Sequence, residues 1–278
     1  MRITTLNPAT NEAITHYDGM SATKIETIIA AVAIAQREWA RQPFAMRKKC
    51  MHYVADLLLE RRQQYAILMA MEMGKPVTAG LAEVEKCARV CRYYADNAEI
   101  FLQPRVIDTE HEKAYVCYQP LGLIFAIMPW NFPMWQVFRF AIPNLMAGNG
   151  CLLKHAPIST GLALKIEQLF IDAGFLKDIF RTLIIDNEQA AMVIDDTRIN
   201  GVTLTGSERA GKVVAAAAGR AITKSVLELG GSDPYIILPD AELISTAKNC
   251  VTSCMSNTGQ VCIAAKRIIT VGGVVNLP

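Results

Sequence analysis

The order of apolar and polar positions divides this chain into two textures. In "SATKIETIIAAVAIAQREWA", Ser21 stands where a helix cap belongs. Ile25, Ile28, Ile29, Val32 and Ile34 then recur at near-helical spacing. "MRKKCMHYVADLLLERR" continues the pattern, and "EMGKP" supplies a stop, with Gly74 as C-cap and Pro76 just past it. Residues 78 to 102 read as another long helix, so the first 103 residues are expected to be mostly helical.

The second texture begins with "HEKAYVCYQP", whose alternation predicts a half-exposed strand pair. Short apolar runs follow at 123–129, 150–156, 181–186, 201–206 and 224–230. Helical stretches at 134–146, 159–173, 187–196 and 207–219 separate them. Near-continuous apolar strands alternating with helices predict a parallel sheet covered on both faces. Right-handed crossovers then give an α/β, Rossmann-like doubly wound domain behind the N-terminal helices. Gly230 and Gly231 mark a boundary, after which "PYIILPD", "AELISTAKNCVTSCMSN" and "KRIITV" predict a strand, a helix and a strand of a second α/β unit.

With 278 residues, 52% of them hydrophobic and 19% charged, the chain is globular and long enough for two domains. A net charge of +2 gives no footprint for a nucleic-acid partner. No apolar run reaches the ~18 residues of a membrane span. The N-terminus has no secretory pattern, so a cytoplasmic location is expected. Eight cysteines without dense spacing fit reduced thiols. Cys87/Cys91 and Cys250/Cys254 each lie on one helix face. Without Cys-x2-Cys spacing or nearby histidines they read as core thiols, and no metal is expected.

In a doubly wound sheet, ligands bind beyond the carboxyl ends of the strands. Trp130 and Asn131, Lys154 and His155, the "TGSERAG" stretch with Gly206, Ser207 and Gly211, and Glu228 all fall there. "TGSERAG" places backbone N–H groups at a helix start, where a phosphate sits well. It is neither G-x-G-x-x-G nor a P-loop, and an ordinary capped helix fits it equally. Glu228, in an apolar strand, is expected to have a raised pKa and to serve as a general base. A structural glutamate paired with a lysine or arginine is the rival reading. In "SNTGQVCIAAKR" a Gly-Gln turn sets backbone N–H groups near Cys262, which makes that thiol the candidate nucleophile.

"PWNFP" (129–133), "LTGS" (204–207), "LELGGSDP" (227–234) and "NTGQVC" (257–262) stand in an order and spacing that resemble the aldehyde dehydrogenase superfamily. The likeness runs from "NPATNE" to about Thr270 and is nearest to the bacterial succinate-semialdehyde type. The resemblance implies that Cys262 attacks an aldehyde, that the Asn131 amide and the Cys262 N–H hold the oxyanion, and that Glu228 activates water against a thioester. It implies NAD or NADP as cofactor. Lys154 would then lie at the adenosine ribose and Ser207 at the pyrophosphate, with Trp130, His155, Gly206, Gly211 and Leu229 completing the cofactor set. Arg139 matches the family's arginine for a distal carboxylate, whereas Ser256 replaces a second one, and Trp135 is expected along a substrate tunnel. Pro157 replaces a glutamate that many NAD-using members carry, which leaves both cofactors open and gives His155 a part beside a 2′-phosphate.

By the same resemblance, residues 1–230 form the dinucleotide-binding domain, with the oligomerisation strand pair at about 104–118. Residues 231–278 are then the N-terminal fragment of a catalytic domain. The family's later Glu-x-Phe-Gly-Pro motif and its C-terminal strand are not in this sequence, and "VGGVVNLP" departs from the pattern. The expectation is therefore a truncated or frame-shifted copy or a fragment of a homo-oligomeric enzyme. The alternative is an inactive remnant that binds dinucleotide or associates with full-length subunits.

Overall fold

In the computed structural model, which describes residues 1–272, the chain opens with a hairpin. β1 (Arg2–Leu6) pairs antiparallel with β2 (Ala13–Asp18). This corrects the helical reading of the first residues. The signal lay in turn chemistry: the Asn7 side chain accepts the Ala9 N–H at 3.0 Å, and Asn11 turns the chain at φ 59°. Four helices follow: α1 (Ala22–Trp39), α2 (Phe44–Glu60), α3 (Arg62–Met73) and α4 (Val77–Phe101). Ser21 caps α1 by accepting the Lys24 N–H at 3.2 Å, and Gly74 ends α3 at φ 75°. Ile25, Ile28, Ile29 and Val32 are buried, but Ile34 falls off the stripe and is exposed. A short antiparallel pair, β3 (Arg105–Val106) and β4 (Tyr115–Val116), lies within the predicted 104–118 stretch.

The doubly wound unit then runs β5 (Leu123–Met128), α5 (Trp135–Met146), β6 (Gly150–His155), α6 (Thr160–Asp172), β7 (Phe180–Thr182), α7 (Asn187–Ile194), β8 (Ile199–Gly206), α8 (Glu208–Arg220) and β9 (Lys224–Leu229). All pairings are parallel, in the order β7-β6-β5-β8-β9. The third predicted strand is cut to three residues. The chain winds outward from β5 to β7, then returns to the other side of β5 for β8 and β9. The carboxyl ends of β5 and β8 therefore flank the switch point, where a crevice opens.

Strand alternation splits the interior into two cores. Ile124, Ala126 and Met128 join α2 through α6 on one face. Leu123 and Phe125 join α1, α7 and α8 on the other. Cys87, Cys91 and Cys151 pack in the first core, and burial pushes each thiol far above its ordinary range. Beyond β9, β10 (Asp233–Ile237) and β11 (Ala265–Thr270) pair parallel in a separate sheet, joined through α9 (Leu243–Met255). Part of "VGGVVNLP", from residue 273 on, lies outside the described residues.

Two buried glutamates tie the N-terminal helices to the sheet unit. Glu72 of α3 accepts the N–H groups of Gly161 and Leu162 at 2.8 and 3.1 Å, in the first turn of α6. Those N–H groups have no intrahelical partner, and the helix dipole favours a carboxylate there. Gly161 leaves the room: a Cβ at that position would meet Glu72 Oε1 at 2.5 Å and the Tyr17 hydroxyl at 2.6 Å. Glu83 of α4 does the same for α5, as described below.

Burial pushes the Glu72 carboxyl up to about 7, against the two N–H groups that pull it down. A carboxyl whose folded pKa lies above its unfolded value near 4.5 holds its proton in the folded state. Its contribution is complete below pH ~4.5 and is lost as the pH rises through about 7. The melting-temperature advantage of the native chain over Glu72→Gln should therefore shrink from pH 5 to pH 8 in thermal melts. The shift corresponds to roughly 3 kcal/mol. An advantage that grows with pH would show that the N–H groups outweigh burial.

Candidate functional site

A cleft of about 350 Å³ opens at the switch point. Its walls carry Trp130 and Asn131 from the β5 end, Thr205, Gly206 and Ser207 from the β8 end, Glu228 and Leu229 from the β9 end, and Gln260, Cys262 and Lys266 from beyond α9. The structure thus brings Cys262, Asn131 and Glu228 to one cavity from three separated stretches.

Asn131 holds the cysteine turn directly. Its Nδ2 donates to the Gln260 carbonyl at 2.7 Å, and Asn257 Nδ2 donates back to the Asn131 carbonyl at 3.0 Å. One Asn131 N–H remains for a ligand, while its Oδ1 is buried without a protein partner. The turn is strained: Asn257, Thr258 and Gly259 all lie in the left-handed region, at φ 50°, 57° and 75°. Lys266 Nζ donates to the Gly231 carbonyl at 2.9 Å and Arg267 Nε to the Ser232 carbonyl at 2.8 Å. These two cations therefore fasten the β9–β10 connection to the cysteine segment. Of the eight thiols Cys262 is half-buried, as is Cys254, and Cys117 is exposed, whereas the other five are buried.

The loop that carries Asn131 is itself held from below, residue by residue. Glu83 Oε1 accepts the Met134 and Trp135 N–H groups, both at 2.9 Å. Its Oε2 meets Lys75 Nζ at 2.5 Å, and the two side chains are 2% and 1% exposed. The Lys75 ammonium also stands 4.2 Å from the Phe132 ring centre. His155 Nε2 donates to the Pro133 carbonyl at 2.8 Å. No sequence pattern pointed to Lys75 or Glu83. The only signal was their company: a lysine between a helix-ending glycine and a proline, and a glutamate on the apolar face of an amphipathic helix, beside Val84 and Cys87.

Five of the expected residues sit in surroundings other than the sequence reading gave them. His155 is buried with both nitrogens engaged, Nε2 at Pro133 and Nδ1 with the Ala156 N–H at 2.8 Å. Burial drops its pKa to about 4, so the ring is neutral and unavailable to a phosphate. Glu228 does not sit in an apolar site: β9 is an edge strand, the side chain is half exposed, and it pairs with Arg139 at 3.3 Å. Arg139 accordingly faces a neighbouring pocket under β8 and β9, not the wall beside Cys262. Trp135 packs against the core of α4 and α5 with Lys86 Nζ 3.7 Å from its ring centre, away from the cleft. Gly211 contributes through packing, since a Cβ there would meet Leu229 Cδ2 at 2.7 Å.

A second cavity, of about 370 Å³, lies between α7 and α8 and is walled by Ile127, Ala190, Ile194, Leu204 and Val214. Lys154 and Arg209 line it. Lys154 is buried, burial holds its ammonium below the usual lysine range, and Nζ has no partner among the described residues. At the near end Ser207 caps α8 by accepting the Ala210 N–H at 3.2 Å, which leaves earlier N–H groups of the helix open. An apolar slot, a buried lysine and a nearby helix start could hold a dinucleotide.

The fold and cleft define a doubly wound α/β protein with a cysteine facing the carboxyl edge of its parallel sheet. Residues 1–276 match the sequence model of the aldehyde dehydrogenase family, and the chain belongs to that family. It is 47% identical over 269 residues to a probable NADP(+) succinate-semialdehyde dehydrogenase of Synechocystis sp., with 97% of this chain and 59% of that protein covered. It is 43% identical to the NAD(P)+ succinate semialdehyde dehydrogenase of Escherichia coli, over 97% and 58%. The NADP+ complex of succinic semialdehyde dehydrogenase from Streptococcus pyogenes superposes with a TM-score of 0.94 at 38% identity, over 97% and 60%. The chain thus spans about three fifths of the length of the relatives it matches. No helix among the described residues is long and apolar enough to cross a membrane.

Burial predicts a labelling pattern. Iodoacetamide on the native chain should modify Cys117, Cys254 and Cys262 and leave Cys87, Cys91 and Cys151 untouched, as read by peptide mass spectrometry. Early labelling of Cys151 would contradict the packing.

Proposed function

We propose that this chain provides the dinucleotide-binding unit and the nucleophile of an NAD(P)-dependent aldehyde dehydrogenase whose substrate is succinate semialdehyde. The observation that supports it best is the shared cleft, in which Cys262, Asn131 and Glu228 face the start of α8. In this reading the Cys262 thiolate forms a bond to the aldehyde carbon. The free Asn131 N–H and the Cys262 backbone N–H take the oxyanion, a contribution of about 10²–10³ in rate for one such donor. NAD(P), when bound, supplies the acceptor for the hydride that leaves that carbon. Glu228 then removes a proton from the water that attacks the thioester, and the carbon–sulfur bond breaks to release the acid. Glu228 takes this role by letting go of Arg139.

Lys154 holds the adenosine end of the cofactor and Ser207 its pyrophosphate, with Trp130, Gly206 and Leu229 along the cleft. Two cations in the slot and an exposed Pro157 in place of a glutamate favour NADP over NAD. The names of the matched relatives carry the substrate assignment, since each acts on succinate semialdehyde.

The test is direct. The purified chain, mixed with succinate semialdehyde and NADP, should form reduced nicotinamide, followed by its absorbance, and Cys262→Ser should abolish the signal. A rate that survives this change removes Cys262 from the nucleophile role. In equilibrium titrations Pro157→Glu should weaken NADP at least about ten-fold while sparing NAD, as one repelled charge implies. Equal losses for both cofactors would remove the 2′-phosphate from this slot.

A further inference from the structure

Glu83 lies in the middle of a helix, 51 residues before the bonds it makes, and its side chain is 2% exposed. An isolated carboxylate that deep is costly, so its partners decide what it does. One oxygen takes two backbone N–H groups at the start of α5 and the other takes Lys75. Lys75 presses on Phe132, and Asn131 is the next residue up the chain. Asn131 in turn bonds the Gln260 carbonyl and is bonded by Asn257. These contacts run without a break from α4 to the turn that ends in Cys262.

We propose that Glu83, with Lys75, is a positioning residue for the cysteine cleft, acting through Asn131. The pair fixes residues 132–135 from beneath, that loop fixes Asn131, and Asn131 keeps the left-handed turn at 257–259 closed over Cys262. The turn requires such support because two non-glycine residues in it have positive φ. The inference rests on the proposed function only in giving Cys262 a purpose. Its test uses neither aldehyde nor cofactor, so a failed assay of catalysis leaves it standing.

The measurement is the alkylation rate of Cys262 by iodoacetamide in the full chain, read by peptide mass spectrometry, with exposed Cys117 as internal reference. Asn131→Ala should raise the Cys262 rate about five-fold, the factor that losing one hydrogen bond gives. Glu83→Gln should raise it by a similar factor and leave Cys117 unchanged. The Glu83→Gln/Asn131→Ala double variant should be no faster than Asn131→Ala alone, because both act on one chain of contacts. Lys75→Met/Glu83→Gln keeps the shape and leaves no lone buried charge, so it carries the test if Glu83→Gln does not fold. A native Cys262 rate in a folded variant of either kind overturns the proposal. So do singles whose factors multiply, and so does loss of native circular dichroism in both variants, which would make the pair a plain core element.

Discussion

A carboxylate shut away from water holds the loop that follows Asn131. Glu83 trades its hydration for two backbone N–H groups and an ammonium, and Lys75 trades its own for that carboxylate and an aromatic face. Each charge is stable only while the other stays, since removing one partner of such a pair costs about 3–5 kcal/mol. The same arrangement recurs one helix earlier, where Glu72 serves the first turn of α6. The N-terminal helices are therefore more than a cover for the sheet. They supply the acceptors that two crossover helices lack at their N-termini, and they do so where the strand-end loops begin.

The parallel sheet provides the complementary constraint. Its strand order leaves the ends of β5 and β8 diverging, with a helix start on the far side. One side of the crevice suits anionic groups because the start of α8, with open N–H groups, stands there. The other receives Cys262 from a separate two-stranded sheet by way of a strained turn. Left-handed non-glycine residues cost of order 1–3 kcal/mol each, and they persist because neighbours over-determine them. Here the neighbour is Asn131, which donates to the Gln260 carbonyl and accepts the Asn257 amide, while Lys266 and Arg267 tie the chain beyond the cysteine to the β9–β10 connection.

The pairing of Arg139 with Glu228 couples two residues assigned separate tasks. An arginine suited to a carboxylate ligand occupies itself with the nearest protein carboxylate, on an exposed strand where the pair is worth little. A half-exposed pair of this kind opens at little cost.

Much of this was legible in the residues. Strict apolar runs gave the five strands and the helices between them, because a strand buried on both faces has no polar position to spare. The ordered motifs around Asn131, Ser207, Glu228 and Cys262 placed the cleft, since backbone turns there demand particular residues locally. The hairpin at the start escaped because its signal is turn chemistry over a few residues, weaker than the helical period that follows it. His155 and Trp135 sit beside motif residues in sequence, yet which way each side chain turns was settled by the layer beneath. Lys75 and Glu83 left little local trace, since a cap bridging 51 residues has no period or spacing to read. Sequence determined what neighbours along the chain can do to one another. Only tertiary packing, which buries charge against distant backbone, decided which polar groups face the cleft and which hold it open.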